Sequence, residues 1–351
     1  MSFKLESEVW GEVEGKEVKL WKIANNSGIE LWFTSYGARL VKAFAPDKDG
    51  KIENVTLGWP TLEEYVAENG GTYYGATVGR YGNRIGSNGT FSIDGVKYQL
   101  ELNNAPAGIP CALHGGLRGF SLQVWDLVDS FANEDKVGLL FEIHSPDQEG
   151  GYPGNVTMRV LHTLDAKGVW RIEYTATTDK PTHIAPTNHA YWNLDGVDAG
   201  TTIMDHTLQI PADYITEYDK GMIPTGEFRD VTGTPFDFRN PVKIGLRHDD
   251  KYDQLEYGAG YDMNWVLSKE AGQLSFAASL ASEKSGRIIE VWTTEPGVQI
   301  YDGYYLPVRN QGVAIETQHF PDTPNKPKFP STLVKPGETL QSVTEYRFGV
   351  K

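Results

Sequence analysis

Residues 169–177 alternate without a break. Trp170, Ile172, Tyr174 and Ala176 interleave with Arg171, Glu173, Thr175 and Thr177. A two-residue period sends each set to one side of an extended chain, so the segment predicts a strand with one buried and one wet face. Such half-wet strands belong to antiparallel sheets, because parallel sheets are covered on both sides. Weaker signals of the same kind recur throughout. Val18, Leu20 and Ile23 run into Asn25-Asn26-Ser27-Gly28 and return over residues 29–34. Residues 91–100 predict a hairpin turning at Asp94-Gly95. Residues 288–292, 313–317 and 345–350 read as further strands. One short helix is expected over residues 61–66, where Thr61 and Glu64 have capping-box spacing. The chain has no Gly/Ser linker, low-complexity tract or repeat. The fold expected is all-β: a large antiparallel β-sandwich with few short helices, forming a single domain over residues 1–351.

Charge narrows the partners. A net charge of -15 argues against nucleic acid and anionic membrane surfaces. No run approaches the roughly 18 apolar residues of a membrane-spanning helix. Met1 to Glu6 lacks the apolar core of a secretory signal. Cys111, the one cysteine, permits no intrachain disulfide and reads as packing. A cytoplasmic protein is expected. The 9 Trp and 18 Tyr fit sheet packing and equally fit stacking against sugars.

The stretch Pro186-Thr187-Asn188-His189-Ala190-Tyr191-Trp192-Asn193-Leu194 carries amide, imidazole, phenol and indole groups and no charge. It suits the wall of a cleft for a neutral, hydroxyl-rich ligand. Asn188 and Asn193 are expected to brace its backbone. The segment Gly79-Arg80-Tyr81-Gly82-Asn83-Arg84 lacks the glycine spacing of a nucleotide loop. Its two arginines read either as solvated cations or as forks for ligand oxygens at a cleft edge. Leu113-His114-Gly115-Gly116 places an imidazole beside two residues without side chains, which would open it to a ligand. Glu316 ends the apolar run Val313-Ala314-Ile315. A carboxylate so placed is desolvated, which raises its pKa toward the range useful to a general base. Asp262 stands among aromatics, and Glu295 and Gln299 follow a predicted strand.

Together these segments resemble the galactose mutarotase (aldose 1-epimerase) family, in order and over nearly the whole chain. The resemblance also rests on Ile223-Pro224-Thr225-Gly226, Thr234-Pro235-Phe236-Asp237-Phe238, Gly260-Tyr261-Asp262, Thr293-Thr294-Glu295-Pro296-Gly297-Val298-Gln299 and Glu316-Thr317-Gln318. It implies a β-supersandwich, monomeric or homodimeric, with a sugar cleft and a small-molecule aldose as substrate. It implies Glu316 as catalytic base, His189 as catalytic acid and His114 as a second histidine that hydrogen-bonds the sugar. Asn83, Arg84, Tyr191, Asp262 and Gln299 match positions that hold sugar hydroxyls. Glu316 would start ionised and His189 protonated. No metal or cofactor is required. Met263, after the aspartate, and Trp192 depart from the family pattern and are expected to bear on sugar preference. Two other readings use the same residues: a glycoside hydrolase working through Glu316 and Asp262, and a sugar-binding module without turnover.

Overall fold

A computed structural model describes residues 3–69 and 71–351; the readings that touch Met1, Ser2 and Gly70 lie outside it. Three sheets carry the architecture, and every strand-to-strand ladder in them is antiparallel. The predicted alternating segment is the strand Val169–Thr178, its even-numbered side chains buried and its odd-numbered ones partly wet. It lies inside a nine-stranded sheet, between Val156–Asp165 and the long C-terminal strand Leu340–Val350. A five-stranded sheet is a meander of Lys4–Val13, Lys16–Ala24, Glu30–Thr34, Arg39–Pro46 and Ile52–Asn54. A six-stranded sheet runs in the order Tyr191–Trp192, Val313–Gln318, Gly297–Tyr301, Asp262–Val266, Tyr214–Tyr218 and Pro224–Asp230.

The hairpin at Asp94-Gly95 forms as expected, with both turn residues in the left-handed region. That conformation matches the twist of the flanking strands and suits Asp-Gly. The helix starts where the capping box predicts. Thr61 caps Leu62–Glu68, its hydroxyl accepting from the Glu64 amide. A second helix, Asp253–Gly258, gave no sequence signal because its six residues are too few to show a period.

The main core lies among the three sheets. It joins Leu31 and Phe33 of the first, Trp170 and Ile172 of the second, and Val298, Ile300 and Ile315 of the third. Trp170 and Trp192 both pack on Tyr346, at ring-centroid distances of 4.9 and 5.4 Å. The Tyr346 hydroxyl reaches through to donate to the Ile315 carbonyl at 2.8 Å. This cluster is the floor on which the strand Val313–Gln318 rests.

One buried polar group in this core sets an acid limit on the fold. His162 stacks on Phe33 at 4.5 Å, accepts from Trp170 Nε1 at Nδ1 (3.3 Å) and donates from Nε2 to the Ala38 carbonyl (3.3 Å). The neutral ring satisfies both partners. A second proton would oppose two N–H groups, and burial pushes the pKa down to about 3. His183 and His206 are likewise buried and pushed down to about 4. A depressed histidine pKa means that the unfolded chain, titrating near 6.5, binds protons that the folded chain refuses. Its contribution is complete above about pH 6.5 and drains away as pH falls toward 3. The urea midpoint should therefore fall steeply from pH 6.5 to 4. His162→Phe should remove up to about 1.4 kcal/mol per pH unit of that slope. A wild-type slope in the variant would mean that His162 takes up its proton without unfolding.

Candidate active site

The six-stranded sheet converts the two-residue period into chemistry. Glu316 lies opposite Gln299, Gln299 opposite Asn264, Asp262 opposite Tyr301 and Tyr191 opposite Ala314. Side chains facing one another across strands share a face. One face therefore collects Tyr191, Glu316, Gln299, Tyr301 and Asp262. The residues between them, Val313, Ile315, Val298, Ile300, Met263 and Trp265, point into the core. Met263 and Trp192 are fully buried on that core side. They do not line the cleft, each being one residue out of phase with a cleft residue, so the bearing on sugar preference expected of them would have to be indirect.

Loops close the cleft from above. Its volume is about 340 Å³, and Asn83, Arg84, His114, His189, Tyr191, Asp262 and Glu316 all line it. That is the range of small-molecule pockets. Gln299 is placed differently. It is completely buried beneath the lining, its amide donates to Asp262 Oδ1 at 2.5 Å, and the Tyr218 hydroxyl donates to its carbonyl at 3.1 Å. Its amide bond to Asp262 helps to orient the aspartate. Asp262 Oδ2 faces Arg84 at 3.5 Å, and Arg84 Nε donates to Asn104 Oδ1 at 3.1 Å. Of the two arginines, only Arg84 reaches the cleft. The Arg80 guanidinium is buried and spent on Ser145 Oγ and three backbone carbonyls, so it is a structural tie. Glu295 is also structural in its contacts, pairing with His319 Nδ1 at 2.6 Å.

Asn188 and Asn193 do brace the backbone. Asn188 bonds the Gly75 carbonyl and the Ala190 amide, both at 3.0 Å. Asn193 donates to the carbonyls of Thr201 and Gln311 at 3.0 and 2.7 Å. Between them His189 is held with Nε2 3.5 Å from Glu316 Oε1. His189 Nδ1 and Glu316 Oε2 are buried and find no partner among the described residues. Buried polar atoms left unpaired are costly. The pair is thus built to be completed by something that enters the cleft.

The electrostatics follow from this burial. Burial pushes the Glu316 carboxyl well above its usual range; the neighbouring Asp262 charge adds to the effect and Arg84 opposes it. Burial pushes His189 down to about 3. Burial thus disfavours the charged form of each group taken alone. His114 is held neutral, lowered by burial and by the charges of His189 and Arg84. Its Nδ1 accepts the Asn83 backbone N–H at 3.0 Å, so the ring proton sits on Nε2. His114 is a fixed donor.

His114, His189 and Glu316 each offer an atom within 4.8 Å of the others, close enough to suggest a two-histidine, one-carboxylate metal site. The His114 tautomer does not fit. One nitrogen lone pair is engaged by Asn83 and the other nitrogen bears the proton, so the ring has no free lone pair for a metal.

Tyr73 was missed in the sequence. Its ring meets His114 edge-on at 4.6 Å and stacks on His189 at 5.7 Å. Tyr73, Asn83 and His114 all have left-handed backbones, with φ of 56, 67 and 52°. Non-glycine residues in that region are uncommon and gather at functional sites. The only sequence hint for Tyr73 is a nearby glycine pair, which marks a bend without saying what the bend presents. Asn104, Tyr257, Tyr301 and Tyr305 complete the lining and had no motif to announce them.

Comparison with known proteins agrees with this arrangement. The aldose 1-epimerase family profile matches residues 19–347. The galactose mutarotase of Bos taurus is 38% identical over 327 residues, covering 90% of each chain. The aldose 1-epimerase of Escherichia coli K12 is 34% identical over 347 residues, covering 95% of this chain and 96% of its own. The solved galactose 1-epimerase of Lactobacillus acidophilus superposes with a TM-score of 0.87 at 26% identity, covering 99% of both chains. With a cleft of small-molecule size and a family match over residues 19–347, this chain belongs to the aldose 1-epimerase family.

Proposed function

We propose that this enzyme interconverts the α and β anomers of aldoses such as galactose and glucose, with Glu316 as base and His189 as acid. The observation that carries the mechanism is their 3.5 Å separation. The C1 hydroxyl and the ring oxygen hang on the same carbon, so the groups that serve them must be close neighbours. In the opening step Glu316 takes the C1 hydroxyl proton. The C1–O bond to the ring oxygen breaks as the carbonyl forms, and His189 delivers its proton to that oxygen. After rotation about C1–C2, attack on the other carbonyl face returns one proton to His189, and Glu316 gives the other to O1. Both residues end as they began. His114 Nε2–H donates to the sugar near C1, while Arg84, Asn83 and Asp262 hold hydroxyls farther round the ring.

The opening step needs a charged pair, with the proton on His189, whereas burial alone disfavours the charge on both groups. An arriving sugar supplies the correction. Hydroxyls that donate to Glu316 favour its carboxylate, and the proton passes to His189. The active enzyme is the pair with one proton in total, and its pH limits belong to the pair. The acid limb is uptake of a second proton. The alkaline limb is loss of the only one.

The hydrolase reading loses support from Asp262. Arg84 and Gln299 hold it as an oriented acceptor, and His189 and His114 would stand idle beside it. We further read residues 1–351 as one catalytic domain, supported by a core cluster drawing on residues from Trp21 to Tyr346. A cytoplasmic monomer or homodimer fits the unpaired, buried Cys111 and the acidic surface. Polarimetry tests the proposal: freshly dissolved α-D-galactose or α-D-glucose should reach rotational equilibrium faster with the protein than without it. An unchanged approach to equilibrium would refute it, and release of free sugar from an aryl glycoside would favour the hydrolase.

A further inference from the structure

A second cavity, of about 380 Å³, opens at the other end of the catalytic strands. The cleft uses Asp262, Tyr301 and Glu316, whereas this cavity uses Val266, Pro296 and His319. Four residues of extended chain separate Asp262 from Val266, a distance of about 13 Å. Its walls are apolar: Phe228, Leu267, Pro296 and Phe320 contribute, and Phe228 packs edge-on against Phe320 at 5.8 Å. Phe228 remains 43% exposed, a large ring left facing solvent.

The charges in this cavity do not balance. His319 is neutralised by Glu295, and the Lys328 ammonium bonds Glu227 at 2.7 Å. Lys269 forms no ion pair among the described residues. Its Nζ donates to the Thr293 carbonyl, which can satisfy only one of three N–H groups. The partly buried ammonium therefore keeps donors that a ligand's oxygens could take, beside the aromatic and aliphatic part of the wall. Burial presses the Lys269 pKa down to about 8, with Glu295 opposing, so the charge persists at neutral pH.

We propose that this cavity binds a small organic monoanion with a flat apolar body, whose carboxylate pairs with Lys269 while the body lies between Phe228, Leu267 and Phe320. Charge complementarity selects the anion, and the walls select against a bare inorganic ion or a sugar. The site is separate from the cleft and requires nothing of the anomerase chemistry.

4-Fluorobenzoate, followed by ¹⁹F NMR against the full-length protein, tests this. Saturable binding is expected, undisturbed by galactose and fading as pH rises past about 8. Lys269→Met should weaken it at least about tenfold, as expected for losing a charge-assisted hydrogen bond. Lys269→Arg should retain it, and the neutral 4-fluorobenzyl alcohol should bind weakly to both wild type and Lys269→Met. Mutarotation by Lys269→Met should equal that of wild type, which certifies its fold. Absence of saturable binding, displacement by galactose, or equal affinity in a folded Lys269→Met would each overturn the proposal.

Discussion

Glu316→Gln should lose about 10²–10⁴-fold in kcat for mutarotation, the usual worth of one general base, while sugar binding persists. The substitution is nearly isosteric and removes a group that burial already keeps neutral. The fold therefore has little to lose. The amide cannot take the C1 hydroxyl proton, so the first bond change has no driving base. Polarimetry measures the rate, and calorimetric titration with galactose measures the retained affinity. Full activity in this variant would remove Glu316 from the base role. Loss of both rate and binding would make it a binding group instead.

His189→Ala should cost a comparable 10²–10⁴-fold in kcat/KM, roughly one general acid's contribution. The pH profile separates chemistry from packing. In the wild type a single proton is shared, and the alkaline limb marks its loss. The raised Glu316 pKa places that limb well above an ordinary carboxylate's range. Without the imidazole the ring oxygen must draw its proton from water. Residual activity should then no longer turn down through the same alkaline limb. An unchanged limb in His189→Ala would assign the acid to another group. Because the ring is packed between Tyr73 and Tyr191, His189→Asn provides a variant that keeps polarity while abolishing proton transfer.

The strands that matter most were readable because their period is short and local. Residues 169–177 alternate in the sequence and in space alike. The burial of the proposed base was readable for a related reason: Glu316 interrupts an apolar run, and the strand Val313–Gln318 proves buried along its entire length. What the sequence obscured was phase. Met263 and Trp192 neighbour Asp262 and Tyr191 in the chain, yet a strand sends neighbours to opposite faces. Gln299 has the phase of the cleft residues, and its burial against Tyr218 and Asp262 is something its own strand does not foretell. Tyr73 and Asn104 arrive on loops whose course depends on long-range packing, so no local pattern points to them. The protonation state was equally hidden, since it depends on how completely the three sheets exclude water from Glu316 and His189.

The division of each catalytic strand into a cleft face and a core face, one residue apart, limits how such an enzyme can be redesigned. A single-residue insertion ahead of Glu316 within Val313–Gln318 would rotate it into the core and bring isoleucine to the sugar, and one within Gly297–Tyr301 would do the same to the Gln299 and Tyr301 face. Length variation is therefore barred from the strands that hold the reaction centre. It is open to the loops carrying Asn104 and Tyr305, which touch the far side of the cleft. An effort to retarget this enzyme to other aldoses would do best to vary those loops and leave the sheet untouched.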